Sequence, residues 1–529
     1  GGGGGGPGGG GRGGAGARGR MGAARYQEAV GRYRGLVQQG AQHFAALRDA
    51  GTARQSVWEP NFQRAFLVFS ALWRYQHEHR AALTEAGLQR WEVGDIACKL
   101  GQLYYSCYLH TAQTRYLLDA VELFGAVQAR GYFAGLEPDA FLAGKKLRFY
   151  GRYVVAALMA GRPGAAVSLA DEMAAALESG RLAPEVRDAW QATLGEVRRF
   201  VQVLRGPQGT LTGLCRLTAP CRGRLAPPDV EQLPLGGGLL VGSQAPGCTR
   251  IAELSLDTYR VMQALEFDIG GGGAEEGSHR AGWGPGDGAN PAKNLLIEPE
   301  ALEVVAALAT LQAELPPAVV ALVYLPGSFL ERSDLSPQDL APFTRRPLFL
   351  VIDGEDRGFQ SLCELEGGEP AVLLESGSSR GAGDGGSLFT LFLSSPALGF
   401  CALAEGGAGG GGGESRWKAD AAMLQSLESR IAQILDDWWA ALLELPPQAV
   451  DPAWARVLDD PFLGQFALRF AFARAALALF RGGESAGPIP ACCPELPAPL
   501  APDGLPARRA VAGLARAAGC ARRFAPAPE

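Results

Sequence analysis

Asp353 closes the run LFLVID (348–353), a short apolar segment followed at once by Gly354. A carboxylate at the carboxyl end of such a strand is where α/β sheets hold a metal or place a base, because the strand ends open onto the ligand crevice. Asp356, three residues on, offers a second carboxylate. The companions that this chemistry needs are missing nearby: no Gly-x-x-x-x-Gly-Lys loop precedes the strand, and no His or Lys stands close in sequence. An Asp in this place more commonly caps the turn that follows. Ser378, in SGSSR, lacks the Gly-x-Ser-x-Gly elbow of a nucleophilic serine.

Metal and thiol chemistry have as little to work with. His77 and His79 flank Glu78, and on a helix they diverge by about 200°, so they cannot share an ion. The ten cysteines form no Cys-x-x-Cys pair and read as reduced and intracellular. Cys107 falls on an apolar helix face and reads as core; Cys492 and Cys493 are adjacent in a Pro-rich tail, where no disulfide framework is expected. No metal or cofactor is expected. The 49 basic and 55 acidic residues leave a net charge of −6, no field for nucleic acid or an anionic membrane. Residues 21–160 depart from this, with 16 basic and 11 acidic residues giving +5. Within them KKLRFYGRY (145–153), if helical, aligns Lys145, Arg148 and Arg152 on one face with Phe149 and Tyr153 beside them. These five residues are the candidate partner-binding set, since cations next to rings grip acidic peptides or phosphates. The plainer reading is a solvated face whose rings are buried.

The elements around these residues follow from hydrophobic period. From 26 to 204 the period is helical: Phe62, Phe66, Phe69 and Trp73 line one face, then Trp91, Ile96, Leu100, Leu103 and Cys107, then Leu117, Val121, Phe124 and Val127. Pro138, Pro163 and Pro184 stand near the first turns of following helices. Gly101 and Ala120 are small enough to let two helices approach, with Tyr104 and Phe124 filling the gap. This predicts stacked antiparallel helical hairpins, which expose long surfaces for partners. In the second half, AVVALVYLPG, RPLFLVIDG and AVLLESG are β-rich runs separated by helical stretches, as suits a buried parallel sheet. SLFTLFLSSP (387–396) is ambiguous between strand and helix, and Leu388 to Ala404, interrupted by Ser394, Ser395 and Pro396, reads as buried rather than membrane-spanning.

The fold class is therefore α/β overall, with N-terminal all-α stacked helical hairpins and a C-terminal α/β domain whose small, mostly parallel sheet is flanked by long helices. The expected organisation is a disordered Gly/Arg-rich head (1–24), a helical-repeat-like domain (25–204), an irregular connection with room for a strand (205–250) and an α/β domain (251–481). Glycine-rich disordered inserts are expected near 270–289 and 405–414, and a disordered Pro/Ala-rich tail over 482–529, where ARRAVAGLARAAGCARRF is at most a transient basic helix. No secretory signal is read from the first residues, and the natural start is expected at Met21 or upstream.

Five segments together carry a resemblance: RWEVGDIACKLGQLYY (90–105), ELSLDTYRVMQALE (253–266), NPAKNLL (290–296), APFTRRPLFLVID (341–353) and GSLFTLFLSSP (386–396). In this order they resemble the suppressor of cancer cell invasion (SCAI) family across most of residues 55–480. The resemblance implies a nuclear transcriptional cofactor, corepressor-like and non-catalytic, with a cytoplasmic pool also allowed. Animal members repress the myocardin-related coactivator of serum response factor and are linked to double-strand-break repair. The implied partners are transcription factors or coactivators and repair factors, with no sequence-specific nucleic-acid binding and no membrane. The alternative from the residues alone is an α/β enzyme or nucleotide binder with its site near Asp353.

Overall fold

The computed structural model describes residues 13–50, 55–135, 139–179, 182–204, 224–225, 230–243, 255–267, 290–365, 369–377, 386–406, 421–481 and 488–526. Ser378, His279, Pro138 and the heart of both glycine-rich inserts lie outside the described residues. Eight helices come first: α1 (Gly13–Ala50), α2 (Gln55–Glu78), α3 (Arg80–Glu85), α4 (Arg90–Thr111), α5 (Thr114–Ala129), α6 (Ala140–Met159), α7 (Pro163–Ser179) and α8 (Pro184–Leu204). Helix α1 begins inside the head expected to be disordered; Ala15, Ala17, Met21, Ala23 and Ala24 are strong helix formers among its glycines. Packing divides the chain into two units, one of Gly1–Tyr105 with Asp119–Leu136, the other of Ser106–Leu118 with Glu137–Glu529.

In the first unit the small residue at 101 does what the spacing predicts. A Cβ built on Gly101 would stand 2.6 Å from Cε1 of Phe124, whose ring is buried against α4. Ala120 is fully buried, and Tyr104 meets Phe66 edge to face at 5.3 Å.

The second unit takes α6–α8 together with the sheet. Strands β1 (Leu235–Gly242), β2 (Ala292–Ile297), β3 (Val320–Pro326), β4 (Leu348–Asp353), β5 (Ala371–Glu375) and β6 (Ala491–Cys493) form one sheet in the order β2-β1-β3-β4-β5-β6. The first five are parallel, and β6 pairs antiparallel with β5. Helices α9 (Leu256–Ala264), α10 (Ala301–Glu314), α11 (Gly327–Leu330) and α12 (Pro337–Leu340) connect the strands, followed by α13 (Leu388–Ser394), α14 (Pro396–Gly406), α15 (Ala421–Leu443), α16 (Pro452–Val457), α17 (Pro461–Leu479) and α18 (Leu505–Ala517). Alternation sends Val323, Leu325, Leu350 and Ile352 toward Leu308 and Leu311 of α10 on one face. The other face carries Tyr324, Phe349 and Val351; α9 packs on β1 and β3, α13 packs on α9 and α17, and Phe349 meets Trp454 of α16 edge to face at 6.3 Å. SLFTLFLSSP is helical, as α13 and the start of α14. Among the described helices α17 is the one long and apolar enough to cross a membrane; 16 of its 19 residues are buried in protein.

One expectation is sharpened and one is corrected. The connection read as irregular with room for a strand contains β1, masked by its composition: Gly236 and Gly237 lack side chains where Val319, Leu315 and Leu311 press against the strand. The tail is folded over 488–526, not disordered. Its β6 extends the sheet, and Ala507, Val511, Leu514, Ala515 and Ala518 form a buried stripe, mostly alanine, that a Pro/Ala composition conceals.

Helix propensity and packing oppose one another at Gly101, which makes its substitution decisive. Alanine in an open helix site gains roughly 0.5–1 kcal/mol over glycine, so Gly195→Ala in α8, where a Cβ meets nothing within 4 Å, should raise the melting temperature. Gly101→Ala should lower it instead, by about 1–3 kcal/mol of overpacking strain. Thermal melts of the two variants moving in the same direction would contradict the close α4–α5 approach.

Candidate functional site

The 2-1-3-4-5 order of the parallel strands is a doubly wound arrangement, in which ligands sit outside the carboxyl ends of the strands. Four segments bring polar side chains to that edge: Tyr324 on β3, Asp353 at the end of β4, Asp257 and Arg260 on α9, and Ser387 with Thr390 at the start of α13. Asp353 is buried and does not cap the following turn. It accepts a hydrogen bond from the Ser387 hydroxyl at 2.9 Å. That turn is capped by Asp356, which accepts from the Gly358 amide at 2.7 Å and is not the carboxylate paired with Asp353.

The second carboxylate is Asp257, from nearly a hundred residues earlier. Its Oδ1 accepts from the Thr390 hydroxyl at 2.6 Å, the Ser387 amide at 2.9 Å and the Arg260 guanidinium at 3.2 Å. Arg260 is 1% exposed and also donates to the Ser387 carbonyl at 3.1 Å, so one cation ties α9 to the loop before α13. Gly386 makes this possible: its φ is +74°, and a Cβ there would stand 2.8 Å from both the Arg260 and Asp257 polar atoms. Burial, and then the charge of Asp257, push the Asp353 carboxyl up to about 7, against the lowering pull of Ser387, Ser376 and Arg260. Among the described residues the fully buried Tyr324 hydroxyl makes no hydrogen bond of good geometry; burial and the nearby Asp353 charge raise its pKa well above the ordinary range.

A second buried polar cluster lies at the other end of α9. Glu266 and Lys293 form an ion pair of 2.7 Å, the two side chains 0% and 1% exposed. Asn290 Nδ2 donates to Glu266 at 2.6 Å, Tyr108 donates its hydroxyl to the same carboxylate, and the Phe267 amide donates to Asn290 Oδ1 at 2.9 Å. The Lys293 ammonium also lies over the Tyr108 ring at 5.6 Å.

The candidate partner-binding row sits on α6, N-capped by Asp139 through the Phe141 and Leu142 amides. Arg148 and Arg152 are exposed and Lys145 is half-buried, its ammonium 5.3 Å from the centroid of the Phe141 ring. Phe149 and Tyr153 are turned inward, 4% and 7% exposed, with ring centroids 6.1 Å apart. The cations and the rings are therefore not presented together. The exposed ring beside the row is Phe141 at 62%, which sequence reasoning missed; its place four residues before Lys145 was the available signal. The residues of the second buried cluster were likewise missed, because Glu266, Asn290 and Lys293 match no spacing motif. Among the described residues no group of three or more His, Cys, Asp and Glu could hold a metal.

The raised Asp353 carboxyl sets a sign. The folded state keeps a proton that the unfolded chain releases near pH 4, so its contribution to stability is full below about pH 4 and is lost as pH rises through about 7. Asp353→Asn removes this titration while retaining an acceptor for Ser387. The melting temperature of the variant relative to wild type should therefore climb between pH 4 and 7 and then level off; a constant difference across that window would show that Asp353 is ionised throughout.

With this geometry in hand, comparison with known proteins is informative. A family model described as Protein SCAI matches residues 35–334 and 328–483. Protein SCAI of Mus musculus and of Homo sapiens are each 29% identical over 528 aligned positions, spanning 87% of this chain and 84% of theirs. The Protein SCAI homolog of Dictyostelium discoideum is 28% identical over 287 positions, 46% of this chain and 36% of its own. No solved structure matches the chain. The match runs from within α1 to α17 and takes in both buried polar clusters and strands β1 to β5, and the chain belongs to the SCAI family.

Proposed function

We propose that this chain is a non-catalytic transcriptional cofactor of the corepressor kind, which works by holding regulatory proteins in the nucleus. The observation that carries this reading is the co-linear family match across residues 35–483. The state of the sheet's carboxyl edge supports it. The Asp353 carboxylate is bonded to Ser387, and Asp257 and Arg260 are bonded to one another and to the same loop, so these groups hold segments together. That use fits a scaffold better than an α/β enzyme or nucleotide binder with a site at Asp353. Transcription factors or coactivators are the proposed partners, with repair factors a second group. A cytoplasmic pool is compatible with this role.

The α6 row is the proposed contact surface for an acidic partner segment. Arg148 and Arg152 supply charge and Phe141, beside Lys145, supplies an apolar anchor. Tethering the chain to a heterologous DNA-binding domain should lower transcription of a linked reporter several-fold, and an unchanged reporter would refute the corepressor reading. Changing Lys145, Arg148 and Arg152 together to Ala should leave the melting curve within about 0.5 kcal/mol per site while weakening capture of nuclear partners. Equal capture by variant and wild type would mark the row as a solvated face.

A further inference from the structure

Seven of the ten cysteines lie among the described residues, all as free thiols. Cys98, Cys107, Cys401, Cys492 and Cys520 are buried, whereas Cys363 and Cys493 are partly exposed. These two also meet each other. Cys363 belongs to the 3-10 helix of Phe359–Glu364, which follows β4, and Cys493 ends β6 in the C-terminal segment. Cys493 stands opposite Leu373 of β5, and opposed residues of antiparallel strands share a face, so it lies on the side that carries Leu350 and Ile352. Cys363 packs on that same side. Its thiol donates to the Cys493 carbonyl at 3.3 Å although 130 residues separate the two, and the thiols stand close enough to shift one another's ionisation. Alternation turns Cys492 to the other face, where Arg474 donates to its sulfur at 3.3 Å, so the neighbouring thiol is engaged elsewhere.

We infer that Cys363 and Cys493 form a reversible oxidation site, closed to a disulfide by hydroperoxides, and that the bond fastens the C-terminal segment to the sheet. Cys493 is the thiol that reacts first. Burial raises both thiols, yet a hydrogen bond from Cys363 pulls Cys493 back down while Cys493 pushes Cys363 further up. Attack of the Cys493 thiolate on a peroxide oxygen forms an S–O bond and breaks the O–O bond, leaving a sulfenic acid, and the departing hydroxide takes up the proton that Cys493 released. The Cys363 sulfur then displaces the sulfenic oxygen. The S–S bond forms, the S–O bond breaks, and the Cys363 proton goes to the leaving hydroxide. Two thiols and one hydrogen peroxide thus give one disulfide and two waters, and a small dithiol reverses the change. Glu364, Asp451 and Glu495 place negative charge around Cys493 and disfavour its thiolate, which suits a slow staple rather than a turning-over thiol. The mechanical effect follows from topology: β6 is held to β5 by three opposed residue pairs, and a bond between residues 130 apart removes much of the freedom of the detached segment.

The site does not depend on the corepressor reading, and its test uses the full chain treated with excess hydrogen peroxide, then alkylated, digested and mapped by mass spectrometry. A linked pair of peptides holding Cys363 and Cys493 should be the main disulfide product and should vanish on reduction with dithiothreitol. In Cys363→Ser the bond cannot close, so dimedone should trap Cys493 as its sulfenic acid. Amide hydrogen exchange over residues 488–526 should slow several-fold when wild type is oxidised and should not change when Cys363→Ser is oxidised. Each comparison is made within one protein, so a less stable variant does not confuse it. The inference is overturned if peroxide leaves both thiols open to alkylation, if Cys493 pairs instead with Cys492 or another cysteine, if the link forms as readily in protein unfolded by guanidinium, or if it forms without slowing exchange in the segment.

Discussion

An ammonium and a carboxylate sealed from water, Lys293 and Glu266, set the condition that the second unit must meet. Removing two charges from water costs several kcal/mol per ion, and the mutual attraction offsets this only when the remaining lone pairs and protons are also satisfied. That requirement recruits Asn290, Tyr108 and the Pro291 carbonyl, and so fixes the end of α9, the start of β2 and the Tyr108 end of α4 at one point. The chain leaves this point at Phe267 and returns at Asn290, joined by a backbone-to-side-chain hydrogen bond. Strand β2 starts beside this cluster and runs parallel to β1 from Ala292 onward.

The same logic governs the opposite end of α9, where Arg260 and Asp257 close on the loop before α13. Most members of both clusters fall within the segments that carry the family resemblance: Asp257, Arg260 and Glu266 in ELSLDTYRVMQALE, Asn290 and Lys293 in NPAKNLL, Asp353 at the end of APFTRRPLFLVID, and Gly386, Ser387 and Thr390 in GSLFTLFLSSP, with Tyr108 and Tyr324 outside them. What looks like a set of scattered signatures is a pair of buried polar networks. Such networks are demanding because every member needs its partners, which explains why polar residues punctuate otherwise apolar runs. It also accounts for Asp353, whose enzyme-like position on the strand is filled by a hydroxyl from its own chain.

The legible part of the fold was what hydrophobic period encodes. The stripes of α2, α4 and α5 and the strands β3, β4 and β5 all follow from spacing of large apolar side chains. The rest rested on small residues or on distant ones. β1 is glycine-rich because helix α10 crowds it, and α18 buries alanines, so neither shows a stripe of large side chains. At the candidate site Asp353 was legible from its strand, but the Asp257–Arg260 pair of α9 and Ser387 come from elements far from it in the chain, and no local spacing links them to it. On α6 the cations were legible and the inward turn of Phe149 and Tyr153 followed the plainer reading.

The second unit depends on its buried polar clusters for architecture, and the central claim is that Glu266 and Lys293 act as a unit. A double-mutant cycle in chemical denaturation tests it most directly, using Lys293→Met, Glu266→Gln and the combination. Lys293→Met alone, which strands a buried carboxylate, should cost about 3–5 kcal/mol, and the double variant should be clearly more stable than the sum of the single losses implies. Strictly additive losses, or a Lys293→Met variant as stable as wild type, would contradict the account.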